Sequence, residues 1–192
     1  MPLWGAVEGS ESLPKFLTTA QQKDVFANQS GWVVEAGSAM TGNGNTSADP
    51  EILVAIGGLA GASGTTGLGE ATINTVDWNI TTFDKSAGGT LSVTVRYNET
   101  VTVAVSNPTI VVTNNNRANH TLTYASGTGT HELTFTLVIA AANAATNAGD
   151  VLSVAAQSIV LASSSTIKDT SDTPANAELA ISSAQGTACG TI

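Results

Sequence analysis

Residues 90–105 read TLSVTVRYNETVTVAV. Leu91, Val93, Val95 and Tyr97 fall on alternate positions, and Val101, Val103 and Val105 continue the series. Ser92, Thr94 and Arg96 take the positions between. A period of two places all the apolar side chains on one face of an extended strand and the polar ones on the other. The same alternation recurs outward from this stretch. ATINTVDWNITTF (71–83) carries it through Ile73, Val76, Trp78 and Ile80, with one slip that predicts a bulge. TIVVT, HTLTYA and HELTFTLVI follow, and in the last of these Leu133, Phe135, Leu137 and Ile139 share a face. VLSVAAQSIVLA and AELAISS supply the final two or three strands. The separators SAGG, SNP, NNNRAN, SGTGT and NAATNAGD are all turn chemistry. The alanines of ANAATNAGD suggest helix, but Asn and Gly interrupt them, so it reads as a loop. Seven or more such strands with turns every 8–12 residues predict an all-β, two-layer antiparallel sandwich. No repeat of 20–50 residues is present, so one sandwich is expected and not an array.

Upstream the pattern is different. Four of the nine aromatic residues, Trp4, Phe16, Phe26 and Trp32, fall in the first 32 positions. That region shows few strand signals and no evident core. TTAQQKDVFAN predicts a short helix capped by Thr18 or Thr19. Residues 36–50 are a polar, Gly-rich loop, EILVAIGGL (51–59) reads as one strand, and residues 60–70 as a flexible connector. The expected organisation is therefore an extended, mostly irregular N-terminal docking arm and connector over residues 1–70, then a sandwich over 71–192. So few apolar residues do not offset the ordering entropy of an arm, about 1–2 kcal/mol per residue, without something to pack on. Trp and Phe are the usual anchors of interfaces. Trp4, Leu13, Phe16, Leu17, Val25, Phe26 and Trp32 are thus the expected partner-docking residues. The competing expectation is that they fold back and complete the chain's own core. A mixture of the two puts Trp32 and Val33 on the sandwich and lets Trp4 and Phe16 reach out.

Composition narrows the function classes. Charged residues make up 11% of the 192, against roughly 25% in an average domain. Net charge is −9, and the six cations, Lys15, Lys23, Lys85, Arg96, Arg117 and Lys168, are scattered. Nucleic acid, which needs clustered cations, is not an expected partner. The longest apolar run, ILVAIGGLAGA, is too short and Gly-rich to span a membrane. The single cysteine, Cys189, excludes an intrachain disulfide and a Cys-rich zinc site. No cationic segment followed by an apolar one opens the chain, so a protein made in the cytoplasm without a secretory signal is expected.

Chemistry-bearing patterns are weak. GLAGASGTTG is Gly-rich but lacks the lysine of a phosphate loop. HELTF begins like a zinc-protease motif, but Phe135 stands where the second histidine belongs. His120 and His131 are the only histidines, and both are expected to be solvated beside turns. Asp169, Asp172 and Glu178 offer oxygens for calcium, without the spacing of an EF-hand loop; an acidic solvated turn is the expectation. No G-x-S-x-G elbow is present. Asn28, Asn45, Asn79, Asn98 and Asn119 lie in N-x-[ST] sequons, which an Asn/Thr/Ser-rich chain produces by chance. No catalytic residue, cofactor or metal is expected, and no enzyme.

Residues 71–180 resemble a family. The running pattern V-x-Y-x-E-x-V-x-V … L-x-Y-x-S-G-x-G-T-x-x-L-x-F … G-D-x-L … I-x-D is matched at Val95, Tyr97, Glu99, Val101 and Val103. It continues at Leu122, Tyr124, Ser126, Gly127, Gly129, Thr130, Leu133 and Phe135, then Gly149, Asp150, Leu152, Ile167 and Asp169. This is similar to bacterial and phage Ig-like domains. The opening LWG…ESLPKFLT resembles N-terminal segments of virion structural proteins from tailed phages of marine cyanobacteria. The resemblance implies an Ig-like sandwich of about seven to nine strands behind a docking arm. It also implies a non-enzymatic virion protein, a capsid decoration or cement protein. Its expected place is the capsid surface, in multiple copies or as a homo-oligomer, held on the major capsid protein or another virion protein. EILVAIGGL is an expected site of strand addition. The alternative is a carbohydrate- or cell-surface-binding module on a tail, fibre or bacterial surface, with weak glycan contact.

Overall fold

A computed structural model describes residues 13–14, 16–61, 67–105, 107–171 and 173–192; Trp4 lies outside the described residues. The strands are β1 (Val25–Asn28), β2 (Gly31–Val34), β3 (Glu51–Ala55), β4 (Ile73–Trp78), β5 (Gly89–Ala104), β6 (Thr109–Asn114), β7 (His120–Ser126) and β8 (Thr130–Ile139). They continue with β9 (Leu152–Val154), β10 (Gln157–Ser158), β11 (Thr166–Asp169) and β12 (Ala180–Ile181), and one helix, α1 (Ser183–Cys189), follows. The protein is all-β and sandwich-like. One path of paired strands runs β3-β2-β1-β5-β8-β7-β6-β9; β4 and β11 also pair with β5, and β10 with β12 form a small second sheet. Every ladder is antiparallel except one parallel bridge, Ala27 to Glu99, which joins β1 to β5.

β5 organises the molecule. Its inward face runs from Leu91 to Val101, with Leu91, Val93, Val95, Tyr97, Glu99 and Val101 buried; Thr94 on the other face is buried as well. Its first half lies between β4 and β8, and its second half pairs with β11. The series stops where the chain adopts φ +77° at Val105, which is 80% exposed. The slip expected in ATINTVDW is a register shift between Ile73 and Thr75. Leu133, Phe135 and Ile139 are buried as their spacing predicts, together with Ile110, Val112, Leu122 and Leu152. Ile159, Ile167, Ala177 and Ile181, from the smaller elements, close the same core.

The N-terminal region is more ordered than its sequence suggests. A single 3-10 turn, Gln21–Asp24, replaces the longer helix. Ala20 and neither threonine holds its cap position, but Thr18 braces the turn from just upstream: its Oγ1 accepts from the Gln21 N–H at 3.3 Å, and the Gln21 side chain accepts from the Thr18 N–H at 2.9 Å. β1 and β2 then form a tight hairpin, and β3 pairs with β2 across a shift that leaves Leu53 as the bulged residue. Val25, Ala27, Trp32 and Val34 on one face of the hairpin pack with Leu17, Leu59 and Ala60 into a second core, separate from the sandwich's. The hairpin is buried on both faces. Its sequence therefore shows no alternation, which is why four-residue strands read as irregular chain. Gly31, at φ +132°, makes the β2–β3 approach possible: a Cβ there lies 2.0 Å from the Val54 carbonyl oxygen.

α1 replaces the expected continuation of the last strand. Ser182 and Gln185 form a full capping box, the S-x-x-Q spacing that announces a helix start. The helix packs on β4 and β9. Gly186 faces the sheet so closely that a Cβ sits 2.3 Å from the Val154 carbonyl oxygen. Gly186→Ala is expected to push α1 off β9 and destabilise the fold by about 1–3 kcal/mol. Thermal unfolding of the variant checks this; an unchanged Tm contradicts the packing described.

Candidate functional site

The seam between the N-terminal lobe and the sandwich gathers most of the chain's interacting charges. Lys23 bonds one oxygen of Asp77, and Arg96 Nη1 bonds the other at 2.7 Å. Arg96 Nε bonds Glu132 Oε1. Asp24 accepts from Ser38 Oγ at 2.6 Å. Burial raises the Asp77 carboxyl, but bonds from Lys23 and Thr75 and the charges of Lys23 and Arg96 outweigh it and hold it below the usual range. His131 sits between the two bodies. Phe26 of β1 stacks on its imidazole with centroids 4.4 Å apart and planes 14° from parallel. Its Nε2 is 3.3 Å from the Lys23 carbonyl oxygen and 3.8 Å from Glu35 Oε2. Burial keeps this imidazole neutral, pulling its pKa down against the opposing pull of Glu132. Burial, Glu132 and Asp24 push the Glu35 carboxyl up to about 7, opposed by Arg96.

A second buried carboxyl marks the seam at the β1–β5 bridge. Glu99 occupies an inward position of β5 and is 1% exposed. Burial, then the charge of Asp169, push it up to about 7, although the Gly61 N–H favours the ionised form. Its Oε1 has no hydrogen-bond partner among the described residues. Asp169 is fully engaged, accepting from Ser171 N–H and Oγ through one oxygen and from Ala175 N–H through the other.

The residues expected to dock on a partner divide three ways. Leu17, Val25, Phe26 and Trp32 are buried within the chain, which corrects their assignment as partner anchors: they supply the second core and the stacking on His131. Leu13 packs partly buried on that core. Phe16 is 64% exposed. Trp32 belongs to the lobe's own core, while Val33 shares the Phe26 face of the hairpin. Both histidines are buried, not solvated; His120, 5% exposed, has an unpartnered Nε2 and a pKa lowered by burial against the charge of Asp150. No hydroxyl bonds either imidazole among the described residues. The solvated acidic turn expected around Asp169 is instead a buried one, in which Asp169, 2% exposed, caps its own loop, while Glu178 Oε2 accepts from the Ile73 N–H at 2.9 Å; Asp172 lies outside the described residues.

The sequence motif itself resolves into structural devices. The Tyr97 hydroxyl donates to the Glu178 carbonyl at 2.9 Å, and the Tyr124 hydroxyl accepts from the Thr128 N–H at 2.8 Å. Asp150 joins two loops, accepting from Asn114 Nδ2 at 2.9 Å and from the Asn147 N–H at 2.8 Å. The aromatics that a sugar would stack on are mostly inward: Tyr97 and Phe135 are buried, and Trp78 donates to the Gly190 carbonyl at 3.3 Å. Phe83 lines a cavity of about 160 Å³ with Lys85, Asn147 and Asp150.

Edges complete the surface. The outer edge of β9 is closed by Thr191 and Ile192, that of β11 by Ala175–Ala177, and β4 by α1 and Glu178. No strand pairs with the outer edge of β3 among the described residues, and Ile52 on it is 55% exposed. No described helix is long and apolar enough to cross a membrane. Comparison with protein-family models, with curated proteins and with solved structures finds no match for this chain.

Glu99 gives the seam a pH signature. Its folded pKa lies above its ordinary value of 4.5. Between pH 4.5 and about 7 the unfolded chain loses this proton while the folded chain keeps it, so stability falls through that window and is level above it. Glu99→Gln is expected to leave stability near pH 4.5 unchanged and to raise it at pH 8 by on the order of 1–2 kcal/mol. Chemical denaturation at both pH values checks this; an equal effect at the two contradicts a buried proton at Glu99.

Proposed function

We propose that this chain is a non-enzymatic structural protein that works by docking, and that its N-terminal lobe is the docking element. The observation that carries the reading is the open outer edge of β3. A bare edge invites an incoming strand, and chains normally cover it. This one covers β4, β9 and β11 with its own residues and, among the described residues, leaves β3 uncovered. The bulge at Leu53 and the charge of Glu51 restrict the partner to a short segment. Phe16 of the same lobe adds an exposed ring of the kind that anchors interfaces.

The partner follows from the resemblance of the sequence to Ig-like domains and to cyanophage virion proteins. On that reading the chain decorates a capsid and docks on the major capsid protein. Many equivalent sites on the lattice give avidity from a modest single contact. The low-charge Thr/Ser/Asn faces of the sandwich are turned outward. This reading keeps a docking role for Phe16 and moves the rest of the burden from the buried aromatics to the β3 edge.

Phe16→Ala and Ile52→Lys test it in the full chain. Each removes or disrupts an exposed group, so Tm is expected to change by little. Co-sedimentation with capsids is expected to weaken roughly tenfold or more for each, equivalent to about 1.4 kcal/mol or more. Full binding by the double variant contradicts the reading, and binding by neither wild type nor variants contradicts the capsid as partner.

A further inference from the structure

Glu35, His131 and Glu132 reach one another across the seam, from positions 35 and 131–132 of the chain. Each offers one ligand atom, and the three atoms lie within 4.8 Å of one another. The Lys23 carbonyl oxygen, 3.3 Å from His131 Nε2, adds a fourth. A tetrahedral zinc ion, with bonds of about 2.0–2.2 Å, holds its ligand atoms about 3.3–3.6 Å apart. The 3.3 Å and 3.8 Å separations around Nε2 are already close to that spacing. The remaining separations, none beyond 4.8 Å, are left to rotation of the two part-exposed glutamate side chains.

Three further features fit an ion. The imidazole is fixed before any ion arrives, since it is 3% exposed and stacked under Phe26. The Glu35 carboxylate forms no ion pair with a lysine or arginine among the described residues; His131 Nε2 lies 3.8 Å from its Oε2, and Arg96 acts on it only from a distance. Glu132 gives one oxygen to Arg96 and keeps the other. The surrounding charges are unbalanced as well. Asp24, Glu35, Asp77 and Glu132 face only Lys23 and Arg96, and a divalent ion offsets the excess. The way in is from solvent, where the Glu35 and Glu132 side chains are 36% and 32% exposed.

We propose that Glu35, His131 and Glu132, with the Lys23 carbonyl, bind one divalent cation of the zinc type, and that this ion pins the N-terminal lobe to the sandwich. One nitrogen among oxygen donors suits zinc or cobalt better than calcium, which takes six to eight oxygens. Without metal, Nε2–H donates to the Lys23 carbonyl. With metal, the imidazole carries its proton at Nδ1, Nε2 ligates, and the freed carbonyl turns to the ion. Glu35 and Lys23 come from the lobe and the other two ligands from β8, so the ion adds a bond between bodies that otherwise meet through side-chain pairs and one strand bridge.

The experiment uses the full chain, stripped with EDTA and dialysed, then titrated with ZnCl₂ by calorimetry, with CaCl₂ as the comparison. The expected result is a single zinc site, a Tm raised by roughly 5 °C at saturation, and visible absorption of tetrahedral type when CoCl₂ replaces zinc. Glu35→Gln is expected to weaken zinc binding roughly tenfold or more while melting like the wild type in EDTA. Glu132→Gln is the second variant should the first fail to fold, and Glu51→Gln, outside the cluster, is expected to bind as the wild type does. Absence of zinc heat and of any Tm shift overturns the proposal. So does binding of unchanged strength in Glu35→Gln, which places the ion elsewhere, or calcium bound as tightly as zinc.

Discussion

The fold depends on β5 keeping one face inward from Leu91 to Val101 while serving two bodies. Strand alternation does not pause between Tyr97 and Val101, so the residue at position 99 must point inward. Here that residue is a glutamate, at the place where β1 joins the sheet. An inward carboxylate is costly, and it is tolerated by keeping its proton near neutrality and by the Gly61 N–H. The one parallel bridge among the described residues and the buried acid thus meet at the same position of β5. The lobe meets the sandwich at this point and again at the His131 seam.

The seam is polar where most such contacts are apolar. Phe26 on His131 supplies burial, but orientation comes from Lys23, Asp77, Arg96 and Glu132, each side chain in contact with a partner from another element. Such half-exposed pairs contribute little to stability individually. Their value lies in direction: they fix how the hairpin sits, and with it which edge of the lobe faces out. Trp32 Nε1 and Glu99 Oε1, both buried without hydrogen bonds among the described residues, each cost about 1–3 kcal/mol. The lobe is therefore held in one pose at some expense.

The sandwich was legible in the sequence because its strands have one wet face. Leu91 to Tyr97 and Leu133 to Ile139 announce themselves by parity, and the slip at Ile73 announces its bulge. The hairpin β1–β2 was not legible as strands, because VFAN and GWVV are buried on both faces and too short to show a period. Helix α1 was legible in principle through Ser182 and Gln185, yet the apolar AELAI before it suggested only another strand. The apolar residues of the first 32 positions announce a need for a surface, but nothing in their spacing says whose: Leu17, Val25, Phe26 and Trp32 find it within the chain. Only Phe16 remains outward among those described. The cluster of Glu35 with His131 joins residues almost a hundred positions apart, a juxtaposition that no local spacing encodes. Glu99 falls within the matched motif, but its place beside β1 is not legible there, because the strand character of VFAN is hidden.

The most direct measurement is hydrogen exchange of the full-length protein, free and bound to capsids. If the lobe is the docking element, β1 and β2 are slow in both states, held by their two buried faces. Residues 51–55 of β3 and the segment around Phe16 exchange quickly in the free chain and slow on binding, while loops 83–85 and 146–150 of the sandwich do not change. Protection appearing in those loops, with β3 unchanged, would contradict the account and move the docking surface to the sandwich.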